Sequence, residues 1–455
     1  MPPFALLTWM LAAAPAPAAL PAPCASIDLP SALAMVARRS DEVAIKQADV
    51  EAAKVDQALA SAIRFIPKAD LTVVGGVVPS AHGNVVEWET SNRSLAGLGP
   101  FIRTDLNVVQ PLFTWGQLTA ARDAANAGYR ARTLLVTDQV AAVQLRVIQL
   151  FWAQAMATKL LAIAAQVDKA LVQVDQKIDE SLKADDGAVT TEDRYRVAVF
   201  KSQLLAKKAD AEKGLALAKV GLAATLALDP AGVQFESPAL DAEAAPLPRL
   251  AQLRADAEAQ RPDLRALDAA IDAKRADVKA HFGAMLPSVF VAGQFSFAYA
   301  PNRDVQFSPW VLDPFRHVTA GLVLGLRQNL ALPTLIEQSK KSKAELHGLE
   351  VKRRALARLV DVQVESARVE ADTAQTKLDA ARGALGAGKA MFRSATLNFG
   401  LGVDDAKAVL EAYQAYVLSQ VSLAQASYEV LVARAKLRQL TGQSLSQGEG
   451  KCVLP

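Results

Sequence analysis

Cysteine is nearly absent from this chain: there are two, Cys24 and Cys452, one near each end. Two thiols so placed exclude a disulfide-dense scaffold and a cysteine-ligated zinc module, both of which need clustered cysteines. Histidine is almost as scarce. His82, His281, His317 and His347 are widely scattered, with no spacing that would set two imidazoles on one metal ion. Aromatic residues make up only 6% of the chain although hydrophobic residues make up 51%, much of it alanine. Alanine favours helix and lets helices approach closely, but it fills a broad globular core poorly. Neither sign of charge dominates. The 50 basic and 47 acidic residues are mixed along the chain, and with no basic block nucleic acid is not an indicated partner. No nucleophile elbow, phosphate loop or dinucleotide fingerprint is present, so neither an enzymatic reaction nor a cofactor is indicated.

Long uncharged apolar runs are missing as well. The most apolar internal stretch, 147–165, is broken by Gln149, Gln154 and Lys159, whereas a membrane helix needs about 18 uncharged residues or more. Only the N-terminus differs. FALLTWMLAAA (4–14) followed by the small, proline-rich PAPAALPAPCAS (15–26) reads as an export signal over 1–25, although the leading MPP carries no basic residue. If this chain crosses a bilayer, it does so without helices.

What the sequence does contain is repetition. At an offset of roughly 215–220 residues, RFIPKADLTVVGG (64–76) aligns with AMLPSVFVAGQFS (284–296), and VVQPLFTWGQL (108–118) more loosely with LRQNLALPTLI (326–336). DDGAVTTED (185–193) aligns with GLGVDDAKA (400–408), each closing one long helical run and opening another. The expected organisation is a first repeat over 26–229, a proline-rich linker over 230–249, a second repeat over 250–443 and a tail over 444–455. Each repeat reads helix, strand, loop, strand, very long helix, tight turn, long helix.

The strand segments alternate. Ile102, Thr104, Leu106 and Val108 oppose Arg103, Asp105 and Asn107. Val289, Val291, Phe295, Phe297 and Tyr299 oppose Ser288, Gln294 and Ser296, with Phe290 out of pattern. Val318, Leu322, Leu324 and Leu326 oppose His317, Thr319, Gly321, Gly325 and Arg327, with Val323 out of place. Runs of about ten alternating residues mark an outer-membrane barrel strand, though a soluble sheet with one wet face alternates in the same way. Two strands per repeat give four, too few for a closed barrel of about eight or more, and an open edge cannot sit in lipid. Membrane-spanning strands would therefore require several chains to share one barrel. The long polar segments 79–100 and 299–317 would be its outward-facing loops.

The helical runs are long. From Trp115 to about Ala184 the chain has some 70 residues without proline, a rod of roughly 105 Å, and the second repeat does the same from about Thr334 to Phe399. Val136, Val140, Val143, Val147 and Leu150 step 4-3-4-3 until Gln154 interrupts; Val417, Val421, Ala424, Tyr428, Leu431 and Ala435 step 4-3-4-3-4. A soluble coiled-coil scaffold of the cell envelope would explain these seams but not the strands. Turns at Asp185-Asp186-Gly187 and Gly400-Leu401-Gly402 separate the paired helices, with Thr190, Thr191 and Asp404 placed to cap the returning ones.

On these residues the chain resembles the TolC-type outer-membrane efflux proteins across essentially 28–443. The carrying pieces are Val109 to Phe113 with Trp115-Gly116, the strand-entry prolines Pro67 and Pro287, and the run 400–442. The resemblance implies a mainly α fold with β: a homotrimer whose twelve-stranded outer-membrane barrel, four strands per chain, continues as a long periplasmic α-helical barrel. It implies a passive exit duct of a tripartite pump or type I secretion system, in contact with outer-membrane lipid and docked to a periplasmic adaptor and an inner-membrane transporter.

The resemblance also implies roles for particular residues. Gln110, Pro111, Leu112, Phe113, Trp115 and Gly116 would form the barrel-to-tunnel joint, with Trp115 an interfacial anchor or simply packed there. Arg103, Asp105, Asn107, Gln294 and Arg327 would face the barrel lumen. Glu411, with Asp404, Asp405 and Asp193, would form a cation-favouring entrance ring, three copies of each carboxylate acting together. Gly187, Ala188, Val189, Gly400, Leu401, Gly402 and Val403 would contact the adaptor. For Cys24 and Cys452 four readings are open: a mutual disulfide, lipidation of Cys24, loss of Cys24 with the signal, or no role for either. The chain departs from the family's pattern at the second joint, 328–334, which lacks Pro-Leu-Phe and the glycine. It departs again at the tip, where Ala408 replaces one entrance acid and Asp404 stands where a tethering basic residue is usual.

Overall fold

The computed structural model describes residues 26–83, 92–184, 190–243, 246–306, 310–401, 403 and 405–446. The expected signal over 1–25, both cysteines, and the turn residues Gly187, Ala188, Val189, Gly402 and Asp404 lie outside the described residues.

Helices α1 (Leu29–Arg39) and α2 (Asp41–Phe65) lead into strands β1 (Lys68–His82) and β2 (Asn92–Phe113). Helices α3 (Gln117–Ala184) and α4 (Thr191–Thr225) follow, then α5 (Leu250–Gln260) and α6 (Pro262–Gly283). Strands β3 (Ser288–Tyr299) and β4 (His317–Arg327) and helices α7 (Leu332–Gly400) and α8 (Ala406–Leu440) complete the order. The sequence helix, strand, strand, long helix, shorter helix thus occurs twice. The long helices have 68 and 69 residues and the shorter ones 35 each. Pro333 stands in the first turn of α7, where its missing N–H has no intrahelical carbonyl to meet.

The chain divides into two compact units. One comprises Ile45–Asp138 and Glu258–Asp361 and contains the sheet. Its strands form an antiparallel meander in the order β1-β2-β3-β4. Lys68, Val109, Ala292 and Val323 lie on one line across it, as do Asp70, Asn107, Gln294 and Gly321. Side chains alternate between faces, so the register gathers Asp70, Thr72, Arg103, Asp105, Asn107, Gln294, Ser296 and Thr319 on one face. Leu71, Val73, Ile102, Leu106, Phe295, Phe297, Leu322 and Leu324 share the other, where all but the half-buried Leu106 are exposed, Leu322 to 78%. Phe290, apolar on the polar face, lies across the strand from Gly325, where a Cβ would come within 2.6 Å of its ring.

The other unit comprises the described parts of Met1–Ala44, Gln139–Ala257 and Val362–Pro455. Ile163, Val167, Leu171, Ile178, Val197 and Val417 join α3, α4 and α8 in one buried cluster. Ala242, Leu378, Ala381, Ala426 and Val430 join the linker to α7 and α8 in another. Ile27 pairs with Phe235 and fastens the start of the described chain to that linker. Gln154 does not break the seam as expected: it is buried, and its Nε2 donates to the Phe235 carbonyl at 3.0 Å. By length and composition α3 contains a stretch apolar enough to cross a membrane, but Val143, Val147, Ile148 and Phe151 within it are buried in the unit's core.

Candidate functional site

No metal-ligating cluster occurs among the described residues, and the candidate positions fall at the polar sheet face, the strand-to-helix joint and the helix turns. On the polar face the register brings together Arg103, Asp105, Asn107 and Gln294. Arg103 Nε lies 2.8 Å from Asp105 Oδ2, so these two charges offset one another. Ser296 Oγ donates to Asp105 Oδ1 at 2.6 Å and lies 2.9 Å from His317 Nε2, while His317 Nδ1 meets the Asp313 carbonyl at 2.8 Å. Ser296 and His317 belong to this cluster although their sequence positions gave only a strand face; the cross-strand partner is what reveals them. Arg327 stands at the other end of the same face, its guanidinium 4.9 Å from the Phe290 ring centroid.

Between β3 and β4, residues 302–306 pack onto the β1–β2 hairpin, with Asp313 tied to them through Arg303. Arg303 Nε pairs with Asp313 Oδ2 at 2.7 Å with both side chains largely buried, and Arg303 Nη1 donates to the Pro79 carbonyl at 2.7 Å. Asn302 Nδ2 donates to the carbonyls of Val78 and Gly97 at 3.1 and 3.0 Å. Gly99 makes this approach feasible, since a Cβ there would lie 2.4 Å from the Asn302 side chain.

The first joint is a reversal with two left-handed residues, Trp115 at φ 52° and Gly116 at φ 80°. Glycine takes that conformation freely; a tryptophan there needs support. Trp115 Nε1 supplies it by donating to the Pro287 carbonyl at 2.7 Å, and Phe113 packs edge-on against the indole with ring centroids 5.0 Å apart. Gln110 Nε2 donates to the Pro111 carbonyl at 3.1 Å, and the strand register shifts between Pro111 and Phe113; Leu112 is exposed. The second joint, without those residues, is built differently. Asn329 Oδ1 accepts from Ala331 N at 3.0 Å, and Gln328 Nε2 reaches the Met285 carbonyl at 2.8 Å.

At the helix turns, Asp193 closes a capping box with Thr190 and pairs with Arg196 at 2.8 Å. Burial alone would raise its carboxyl; the Thr190 hydrogen bonds and the Arg196 charge outweigh that and hold it below the ordinary carboxylate value. Asp193 is therefore engaged in starting α4, unlike a free entrance charge. Asp405 caps α8, accepting from Ala408 N at 2.8 Å. Glu411 remains exposed on α8, with Lys407 Nζ 3.9 Å away. After Gly400 the chain turns with Val403 N donating to the Asn398 carbonyl at 2.9 Å, leaving Leu401 and Val403 exposed to 78% and 73%.

Residues 253–443 match the sequence model of a family described as outer membrane efflux protein. A comparison with curated protein sequences finds no match. Among solved structures, the outer-membrane channel OprN is similar at 15% identity over 92% of this chain and 91% of its own, with a TM-score of 0.73. The Campylobacter jejuni CmeC outer membrane channel is similar at 14% identity over 91% and 85%, with a TM-score of 0.73. The open state of the Neisseria gonorrhoeae MtrE outer membrane channel is similar at 17% identity over 92% and 91%, with a TM-score of 0.71. Residues 253–443 thus carry the sequence pattern of the outer membrane efflux proteins, and the chain has the fold of these channels over most of its length.

Proposed function

We propose that three copies of this chain close their sheets into one twelve-stranded barrel in the outer membrane, continued into the periplasm by the long helices. The assembly conducts solutes passively outward from a periplasmic entrance, after docking to a periplasmic adaptor and an inner-membrane transporter of a tripartite pump or type I secretion system. The observation that carries this reading is the sheet itself: four strands with two open edges and an exposed, continuous apolar face. Such a face suits hydrocarbon. Open edges do not, because their backbone groups would be unpaired, so closure by further copies is required.

In this reading Asn107 and Gln294, with the offset pair Arg103 and Asp105, line the barrel lumen. Pro111 to Gly116 turn the wall from sheet to helix. Glu411 and Asp405, together with Asp404, supply the acidic entrance, tempered by Lys407 beside Glu411. The exposed Leu401 and Val403, with Gly400, Gly402 and Gly187 to Val189, offer the adaptor a small apolar contact. The test is ion conductance in a planar lipid bilayer. Long-lived steps that Glu411→Gln makes less cation-selective are expected; protein that associates with the bilayer yet leaves its current unchanged would contradict a conduit.

A further inference from the structure

We propose that Asp70 of one copy faces Arg327 of the next across the seam that closes the barrel, and that this ion pair fixes the register of closure. The inference rests on the trimeric reading above and adds to it a residue-level geometry. Both residues lie on the polar face and on the two open edges, β1 and β4. Among the described residues Arg327 has no carboxylate partner, only the Phe290 ring beneath it. Asp70 has a loose one, Lys68 at 3.5 Å, with side chains 60% and 78% exposed respectively.

The register follows from the stagger of the strands. β1 begins at Lys68, on the line through Val109, Ala292 and Val323, whereas β4 runs on to Arg327. The lower margin of the sheet therefore descends by about four residues over three strand steps, and one further step brings the descent to about five. Polar-face residues must meet polar-face residues, which restricts the stagger to even values. Two registers satisfy this. A stagger of about four residues places Lys68 of the second copy opposite Arg327; a stagger of about six places Asp70 there. With a rise of about 3.3 Å and a strand spacing of about 4.8 Å these give tilts of roughly 35° and 46°, at the two ends of the usual range.

Charge then decides. Like charges directly opposite one another destabilise a strand pair, and opposite charges stabilise it. Lys68 against Arg327 is the first case; Asp70 against Arg327 is the second. In the second register the 11 residues of β4 meet 70–80 of β1, ending where β1's own register shifts between Pro79 and Ser80. On the lipid-facing side Leu71 and Val73 of the second copy then meet Leu326 and Leu324, and Gly75 leaves room for Leu322.

The test is cysteine crosslinking of the full chain in membranes, with Cys24→Ser and Cys452→Ser as background. Facing residues of an antiparallel pair have Cα atoms about 4.5–5.5 Å apart, within disulfide range. Asp70→Cys with Arg327→Cys is expected to yield a covalent trimer on a denaturing gel under oxidation, and Lys68→Cys with Arg327→Cys is not. The reverse pattern would overturn the proposed register. Failure of both pairs in a protein whose native mass in detergent is trimeric would overturn the seam. A monomeric mass would instead remove the trimeric reading on which the proposal rests. As a second readout, Asp70→Arg and Arg327→Asp should each lower the melting temperature of the trimer, and the double reversal should recover most of the loss.

Discussion

Arg303 and Asp313 show how single side chains shape the outer face. A buried pair is costly to break from one side, because the survivor is left as an uncompensated charge; such truncations typically cost about 3–5 kcal/mol. The Asp313→Ala variant should therefore release the connection 300–316 from the β1–β2 hairpin while leaving the sheet intact. The measurement is cleavage of intact cells by an external protease: cutting within 300–316 should rise in the variant, and unchanged resistance would contradict this role. Asp193 carries a pH dependence. Its carboxyl is held below its unfolded value, about 3.9, so its contribution is fully present above that pH and is lost as the pH falls through the lower folded value. Thr190→Ala, which removes a cap worth about 1 kcal/mol, should lower stability at pH 7 and reduce the further loss as the pH falls below the unfolded value, read by thermal unfolding in detergent. At this scale the sequence revealed residue faces but not partners. Nothing near Asp193 distinguishes a capping carboxylate from an entrance carboxylate until the Thr190 and Arg196 geometry is known. His317 joins Ser296 and Asp105 only once β3 and β4 are in register.

Among the elements, β3 and β4 were legible because alternation has a period of two and one face is apolar throughout. Phe290 looked like an error in that pattern because its explanation, the space above Gly325, lies on another strand. The long helices were legible from the absence of proline, and their seams from heptad spacing. Gln154 looked like a break in one of them because its partner, the Phe235 carbonyl, comes from a linker with no periodic signal of its own. The two joints differ for a similar reason. Trp115 and Gly116 announce a reversal, whereas 328–331 makes its turn through an asparagine side chain that sequence alone does not single out. The exposed apolar sheet face gives the sharpest prediction for an element. Leu324→Arg places a charge on the lipid side and should cost about 2–4 kcal/mol near the bilayer midplane, abolishing heat-stable trimers. Thr319→Arg, on the opposite face of the same strand, should leave them intact on a semi-native gel. Equal loss from both substitutions would contradict the assignment of faces.

For the molecule as a whole, closure of the sheet is the decisive requirement. Each chain carries a third of the strands that a twelve-stranded barrel requires, and its fold matches known outer-membrane channels over about nine-tenths of its length. Counting reached only part of the whole-molecule architecture: four strands are too few for a barrel, so strands that span a membrane require several chains, while the number three and the helical tunnel came from the family resemblance. The most direct test of the central claim is the native mass and symmetry of the particle extracted from membranes into detergent. The account predicts three copies of the chain around a three-fold axis with a central channel. A water-soluble monomer, or a filament without a pore, would contradict it.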